Sequence, residues 1–426
     1  MSVLLPFLLV AVMLVAPRLL GTCALIVAFS AMLDFPILYG GGMQAGLVLV
    51  CVWTSLVLWS LKVQNRVHLN DQLVWLFGCW ALYHLFKMVT HQEGFTDVVR
   101  RGASVGMALA VAVTLRDERT FRAFAYASGA LASALAVYGL VVGIENAYTP
   151  HFEFSAALDR NLQGWHLAFG FVPLLSYAVA STSAKKWEKV LAYACALLCC
   201  VGVLGYRSRS ASLACAVALL GVLGHRLTAK SILVFVIVVT AVGGIALQQD
   251  MWNSYADRWL EKSTFTGSGR TEILRATLSC FGKLRLDQQL FGASQSAPVI
   301  LGQSDGIGLE GTHNGYSTIL VETGAFGFLA FLAVLSISLW RGLRRPDWTG
   351  AATFASGLAF LCMFSTLDLL ATQSGWVVLG IMVAQGNASE RLKAAFGLWG
   401  SGLASDRQLT IDQLEQAEVP CRARRI

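Results

Sequence analysis

Charge is scarce in this chain. Only 13% of its 426 residues are charged, whereas 56% are hydrophobic and the mean hydropathy is +0.62. Soluble globular domains carry about 25% charged residues, so a soluble globule is excluded. The composition instead predicts an all-α, polytopic membrane protein.

Disulfides and metal sites are also missing from the pattern. Eight of the ten cysteines lie in apolar segments, where cysteine behaves as a small hydrophobic residue. Cys421 lies near the C-terminus, and only Cys280 lies in the one long polar segment, so no disulfide can form within that segment. No cysteine or histidine spacing matches a zinc site, and the sequence predicts no metal and no cofactor.

Apolar runs of about 17 to 25 residues, the length that crosses roughly 30 Å of hydrocarbon, recur along the chain. They predict spans near residues 43–61, 71–90, 98–115, 123–143, 164–180, 189–204, 210–224, 231–247, 315–340, 350–367 and 369–385. Residues 2–33 are apolar as well, but Pro17 and Arg18 interrupt them. If they cross once as a broken helix, the chain has twelve spans; thirteen spans are the alternative.

Lysine and arginine mark one side of the membrane. In the short connections they fall on alternate loops, which the positive-inside rule assigns to the cytoplasm. The net charge of +7 is spread over these loops and indicates membrane insertion, not nucleic-acid binding. The predicted organisation is transmembrane helices over 1–247, a large periplasmic loop over 248–312, transmembrane helices over 313–389 and a cytoplasmic tail over 390–426.

The predicted periplasmic loop contains one amphipathic stretch. Between Arg270 and Arg285, one stripe of residues recurs at helical spacing opposite a basic face. It consists of Ile273, Leu274, Thr277, Leu278 and Phe281. This pattern predicts a helix that lies on the membrane surface. Arg270 at its start would favour a bound anion, because helix N-termini attract negative charge.

Arginines on the predicted outer side need a reason, since positive charge is disfavoured there. Arg160, Arg209, Arg270 and Arg275 all fall on that side. A guanidinium binds phosphate or carboxylate through two parallel hydrogen bonds. The set therefore predicts a lipid-linked phosphate ligand; structural ion pairs with acidic residues of the loop are the alternative.

A histidine stands where the chain re-enters the membrane. His313 and Asn314 follow a glycine-rich stretch and precede an apolar span. An imidazole titrates near neutral pH and can take a proton from a sugar hydroxyl. Glu322 lies nine residues further on, about 13 Å along a helix, so it is expected to be structural rather than a partner of His313.

Three segments together resemble the O-antigen ligase and polymerase superfamily of bacterial envelope glycosyltransferases. They are SRSASL (208–213), GSGR (267–270) and HNGYSTILVETGAFG (313–327). In the last segment Glu322, Gly324 and Gly327 match the family pattern. The chain departs from the pattern in two places: Leu274 replaces a common aromatic residue, and the Pro-Asn pair near the middle spans appears as Asp159-Arg160-Asn161, which keeps the asparagine but not the proline.

The resemblance implies a metal-independent membrane glycosyltransferase. The donor would be a glycan on undecaprenyl diphosphate, the acceptor a hydroxyl on the periplasmic side of the inner membrane, and membrane lipids the surroundings. By the family motifs, Arg209 and Arg270 would hold the diphosphate, with Arg160 and Arg275 as further candidates. His313 would be the general base, and Asn314 would orient the acceptor.

Three functions remain open at this point. An O-antigen ligase, whose acceptor is a lipid A-core sugar and whose product is lipopolysaccharide, is favoured because the chain has a single long outer loop. An O-antigen polymerase, which joins lipid-linked repeat units, is the first alternative. A polysaccharide transporter or flippase is the second, and it is disfavoured because the sequence has no internal repeat and its candidate charges gather at one face.

Overall fold

The computed structural model describes residues 71–90, 95–115, 118–142, 160–206, 208–225, 270–293, 314–366, 369–371 and 373–385. All regular secondary structure within these ranges is helical. The all-α fold class is therefore confirmed for the described part of the chain.

The described ranges contain eleven α-helices and one short 3₁₀ helix. In chain order the α-helices are α1 (Gln72–Thr90), α2 (Phe95–Thr114), α3 (Glu118–Val142), α4 (Arg160–Ala180), α5 (Lys186–Gly205), α6 (Arg209–His225), α7 (Arg270–Lys283), α8 (Leu286–Phe291), α9 (Gly315–Arg344), α10 (Trp348–Phe364) and α11 (Gln373–Gln385). The 3₁₀ helix, Leu369–Ala371, lies between α10 and α11.

Several of these helices suit a membrane. Among the described residues, α1, α3, α5 and α9 are long and apolar enough to span one, and α6, α10 and parts of α2 and α11 are shorter apolar helices. Nine of the predicted spans overlap a described helix. The predicted spans at 2–33, 43–61 and 231–247 lie outside the described residues, as do 248–269, 294–312 and the tail 390–426. The number of twelve spans and the four-part division stay predictions.

Small residues let α3, α4 and α5 pack closely. A β-carbon added at Gly202 of α5 would lie 2.7 Å from Cβ of Ala136 and 2.9 Å from Cδ1 of Leu167. A β-carbon at Gly170 of α4 would overlap Ala132 of α3. Membrane helices associate through such close packing, because lipid provides no hydrophobic drive between them.

An aromatic cluster joins four other helices. The Trp80 ring of α1 lies 5.0 Å from Phe331 of α9 and 5.5 Å from Trp376 of α11, centroid to centroid. Phe331 in turn lies 5.4 Å from Phe364 of α10. All four side chains are buried, so they fix the relative positions of α1, α9, α10 and α11.

Polar contacts gather at one end of the bundle. Arg341 Nη1 lies 3.2 Å from the buried carboxylate of Asp71, and Trp348 Nε1 donates to Glu118 at 2.9 Å. These contacts join the ends of α9 and the starts of α1, α3 and α10, and we call this the Asp71 end. The opposite end, where α4, α6, α9 and α11 begin, is called the Arg209 end.

The turn from α9 to α10 is fixed by Asp347. Its carboxylate accepts hydrogen bonds from the backbone N–H of Gly350 at 2.9 Å and the hydroxyl of Thr349 at 2.7 Å, and it lies 2.8 Å from Nε of Arg345. Burial acts to raise the pKa of Asp347, but the Arg345 charge and these hydrogen bonds outweigh it and lower the pKa. The ionised aspartate therefore caps α10.

The small-residue contact predicts a mutational difference. Gly202→Ala should lower the thermal unfolding midpoint, because the methyl group overfills the contact with Ala136, at a cost of about 1 to 3 kcal/mol. Gly224→Ala is the matched control, since a methyl group there meets no atom within 4 Å and alanine favours a helix. Thermal unfolding of both variants in detergent gives the comparison. Equal midpoints would refute the claim that the contact at Gly202 is too close for a methyl group.

Candidate functional site

Ser208 caps the helix that begins at Arg209. The hydroxyl of Ser208 accepts from the backbone N–H of Ala211 at 3.3 Å, and its carbonyl accepts from the N–H of Ser212 at 3.0 Å. A serine directly before the first helical residue supplies this acceptor and starts the helix. Arg209 thus becomes the first residue of α6, whose first turn contains no acidic residue.

A second arginine-headed helix starts beside it. Arg160 is the first residue of α4, and the first turn of α4 also contains no acidic residue. A β-carbon added at Gly164 would lie 2.7 Å from Cβ of both Ser208 and Ala211. The first turns of α4 and α6 are therefore in contact, and only glycine at position 164 permits this approach.

The start of α9 is capped by Asn314. Its side-chain oxygen accepts from the N–H groups of Tyr316 at 3.0 Å and Ser317 at 3.3 Å, and its amide nitrogen donates to the carbonyl of Ser365 at 3.1 Å. The Tyr316 ring lies 4.9 Å from Phe364. Asn314 thus joins the start of α9 to the end of α10.

Trp165 connects the start of α4 to the start of α11 and the end of α10. Its indole N–H donates to the hydroxyl of Ser374 in the first turn of α11 at 2.9 Å. Its ring lies 6.3 Å from Phe360, which stacks on Phe364 at 5.0 Å. The starts of α4, α6, α9 and α11 therefore lie together at the Arg209 end.

The predicted amphipathic helix is present as α7, and Arg270 is its first residue. Its buried face consists of Ala276, Thr277 and Cys280. Leu278 was expected on the apolar face but is 46% exposed, and Arg275 is exposed as well. The helix therefore meets the bundle through three smaller side chains, and of the predicted stripe Thr277 is buried whereas Leu278 is not.

The structure places the predicted site residues unequally. It brings the helix starts at Arg160 and Arg209 to the same end of the bundle as Asn314. His313 lies outside the described residues. That Arg270, Arg275 and His313 meet Arg209 remains a prediction. Within the described residues, no group of three or more histidine, cysteine or acidic side chains is arranged to hold a metal ion.

A break in α9 is a feature that sequence reasoning missed. Gly324 has φ 68° and ψ −175° inside the helix, a conformation that side chains with a β-carbon rarely adopt. The break frees backbone groups. Residues 290–293 enter the break, where the N–H of Ala293 donates to the carbonyl of Val321 at 2.7 Å. A second partner comes from α1, because the Tyr83 hydroxyl lies 3.2 Å from the carbonyl of Thr323.

A buried charge cluster lies next to the break. Glu322 is 3% exposed, and both of its carboxylate oxygens lie 3.4 Å from Nη1 of Arg101. His84 Nε2 lies 3.4 Å from the same carboxylate, and the His84 ring packs against Trp80 and Trp376, with centroid distances of 5.9 and 5.6 Å. Arg101 and Glu322 are 221 positions apart in the sequence, so no local pattern could have identified the pair.

One family comparison bears on these residues. A family model described as O-antigen ligase matches residues 194–332, from within α5 to within α9. The matched segment contains Arg209, Arg270, His313 and the break at Gly324. No curated protein matches the chain.

The Asn314 cap generates a prediction about stability. Asn314→Ala should lower stability by about 1 kcal/mol, because two N–H groups of α9 lose their acceptor. Asn314→Ser retains a side-chain oxygen at the cap position and should lose only a few tenths of that. Chemical or thermal unfolding in detergent compares them, and an alanine variant as stable as the wild type would contradict the capping role.

Proposed function

Since the chain belongs to the O-antigen ligase and polymerase superfamily, we propose that it is an O-antigen ligase. It transfers a glycan from undecaprenyl diphosphate to a sugar hydroxyl of the lipid A-core. The Arg209 end faces the periplasm, at the outer surface of the bacterial inner membrane. Lipopolysaccharide is the product.

The observation that carries this function is the contact between two helix starts that each bear an arginine. Arg160 and Arg209 begin neighbouring helices, so both guanidinium groups belong to residues at the positive end of a helix dipole. A cation there is unfavourable by about 0.3 to 1 kcal/mol per helix. A bound diphosphate reverses this balance, because it accepts hydrogen bonds from the guanidinium groups and is attracted to both helix N-termini.

The reaction follows from these groups. The acceptor hydroxyl oxygen attacks the anomeric carbon of the donor sugar, and its proton passes to the imidazole of His313. The bond from that carbon to the diphosphate oxygen breaks, and undecaprenyl diphosphate leaves with the bonding electrons. Arg209 and Arg270, with Arg160 and Arg275, stabilise the negative charge that develops on the leaving group, and Asn314 orients the acceptor.

A direct test uses purified protein and a defined oligosaccharide on undecaprenyl diphosphate. Lipid A-core and a second lipid-linked oligosaccharide are offered as separate acceptors, in buffer with EDTA. Glycosylated lipid A-core supports the ligase without a metal requirement. Extension of only the second oligosaccharide would make the protein a polymerase, and activity that appears only after magnesium or manganese is restored would overturn the metal-independent mechanism.

Arg209→Lys should reduce transfer by about 100-fold, because a lysine ammonium cannot reproduce the two parallel hydrogen bonds of a guanidinium. The matched control is Arg285→Lys, since the Arg285 side chain is 80% exposed and pairs with Asp287 at 3.1 Å. Initial rates at saturating acceptor give the comparison. Equal losses in both variants would argue that Arg209 makes no specific phosphate contact.

His313→Ala should reduce transfer by about 10² to 10⁴-fold, the usual contribution of a general base. Its control is His225→Ala, because His225 ends α6 at the far end of that helix from Arg209. Both variants should enter the membrane in normal amounts. A His313→Ala enzyme with the wild-type rate would eliminate the general-base role.

A further inference from the structure

The break at Gly324 is filled by another part of the chain. Gly292 and Gly324 face each other backbone to backbone: a β-carbon at Gly292 would overlap the carbonyl of Glu322, and one at Gly324 would overlap the carbonyl of Leu290. Both glycines have positive φ, 92° and 68°. Two residues without side chains are thus required for residues 290–293 to enter the break.

Tyr83 of α1 holds the two sides together. Its hydroxyl lies 2.6 Å from the carbonyl of Phe291 and 3.2 Å from the carbonyl of Thr323. The hydroxyl has one proton, so it donates to one carbonyl at a time, and the shorter distance favours Phe291. Helix α1 therefore contacts both the inserted segment and the broken helix.

The charge cluster fixes the broken helix itself. Glu322 lies two residues before Gly324, and its carboxylate pairs with Arg101 of α2 at 3.4 Å and lies 3.4 Å from Nε2 of His84 of α1. A buried ion pair contributes little net stability, but it specifies one arrangement, because removal of either partner leaves an uncompensated buried charge. The pair thus sets where α9 breaks relative to α1 and α2.

The inserted segment is rigidly joined to α7. The side-chain amide of Gln289 in α8 donates to the carbonyls of Gly282 at 3.1 Å and Leu284 at 2.8 Å. Both carbonyls lie at the C-terminal end of α7. From there α7 runs back about 20 Å to Arg270. A tilt of about 10° at this anchor moves Arg270 by about 3 Å, and displacements near 1 Å in an active site can lower rates 100-fold.

We propose that Tyr83 and the Arg101–Glu322 pair are positioning residues. They hold the break at Gly324 in the form that receives residues 286–293, and so they anchor α7 and fix where Arg270 and Arg275 stand. The anchoring of α7 is independent of the proposed function, whereas the effect on donor binding rests on it. Both groups lie within the bundle: Glu322 is seven residues into α9, about 10 Å along the helix from its first residue, Gly315.

The test measures anchoring and catalysis separately. Tyr83→Phe removes only the hydroxyl, and Gly292→Ala obstructs the insertion; Gly282→Ala on the same helix pair is the control, because a methyl group there meets no atom within 4 Å. Hydrogen–deuterium exchange in nanodiscs follows peptides from 270–293. Tyr83→Phe should exchange there about fivefold faster, the factor for one neutral hydrogen bond, and Gly292→Ala faster still. Gly282→Ala should exchange no faster than the wild type, because alanine favours the helix.

KM for the donor distinguishes a positioning role from a purely structural one, because a structural role would leave it unchanged. Per folded molecule, Tyr83→Phe should raise KM for the undecaprenyl-diphosphate donor several-fold, with an unchanged KM for the acceptor and only the small fall in unfolding midpoint that the loss of one hydrogen bond causes. Wild-type exchange in Tyr83→Phe and Gly292→Ala overturns the anchoring, and faster exchange with an unchanged donor KM overturns the positioning. If the wild type transfers no glycan, the proposed function fails, and the exchange rates alone decide the anchoring.

The ion pair needs a variant that folds. Arg101→Met and Glu322→Met alone should lower the unfolding midpoint strongly, because each leaves a buried charge without its partner, whereas the double variant should recover much of it. The double variant should still exchange faster over 286–293, because its α9 has lost the contact that sets the break. A double variant with wild-type exchange in that segment would remove the Arg101–Glu322 pair from the positioning role.

Discussion

The structure depends on how the break in α9 is satisfied. A helix in apolar surroundings pairs its own backbone groups, and each group left unpaired there costs several kcal/mol. At Gly324 that internal pairing stops, so the partners must come from elsewhere in the chain. They come from Ala293, which bonds to Val321, and from Tyr83. Residues 286–293 are consequently part of the bundle, although they lie between the two predicted transmembrane regions.

The buried glutamate has a related role. Glu322 and Gly324 lie in the segment that resembles the family motif, and their spacing has a physical reason: Glu322 supplies the charge that pairs with Arg101 of α2, and Gly324 supplies the backbone conformation two positions later. Replacing either group alone would leave a buried charge or a strained backbone. The two residues thus specify a shape of the helix, and the histidine proposed as general base, His313, lies nine positions earlier in the sequence than Glu322.

Sequence patterns predicted the features that depend on neighbouring residues. Hydropathy identified helices such as α1 and α9, and apolar spacing identified α7, because both signals extend over many consecutive positions. The break, the insertion of Gly292 and the Arg101–Glu322 pair were missed, since each joins residues that are far apart in the chain. Asn314 is an intermediate case. From the sequence it was expected to orient the acceptor, whereas the structure shows that its side chain caps α9. Asparagine suits both roles, so the residue type alone does not distinguish them.

Three helices, α4, α6 and α7, begin with an arginine, and this placement opposes the helix dipole at each of them. Locally unfavourable choices of this kind persist where a ligand compensates for them. The anchoring of α7 is consistent with such a compensation, because the contacts of Gln289 and Gly292 lie at its C-terminal end, opposite the end that begins with Arg270. Under the proposed function, the diphosphate of the donor would be the ligand of Arg270 at the start of α7. The fold would hold one end of α7 by packing, whereas the donor would hold the other end by charge.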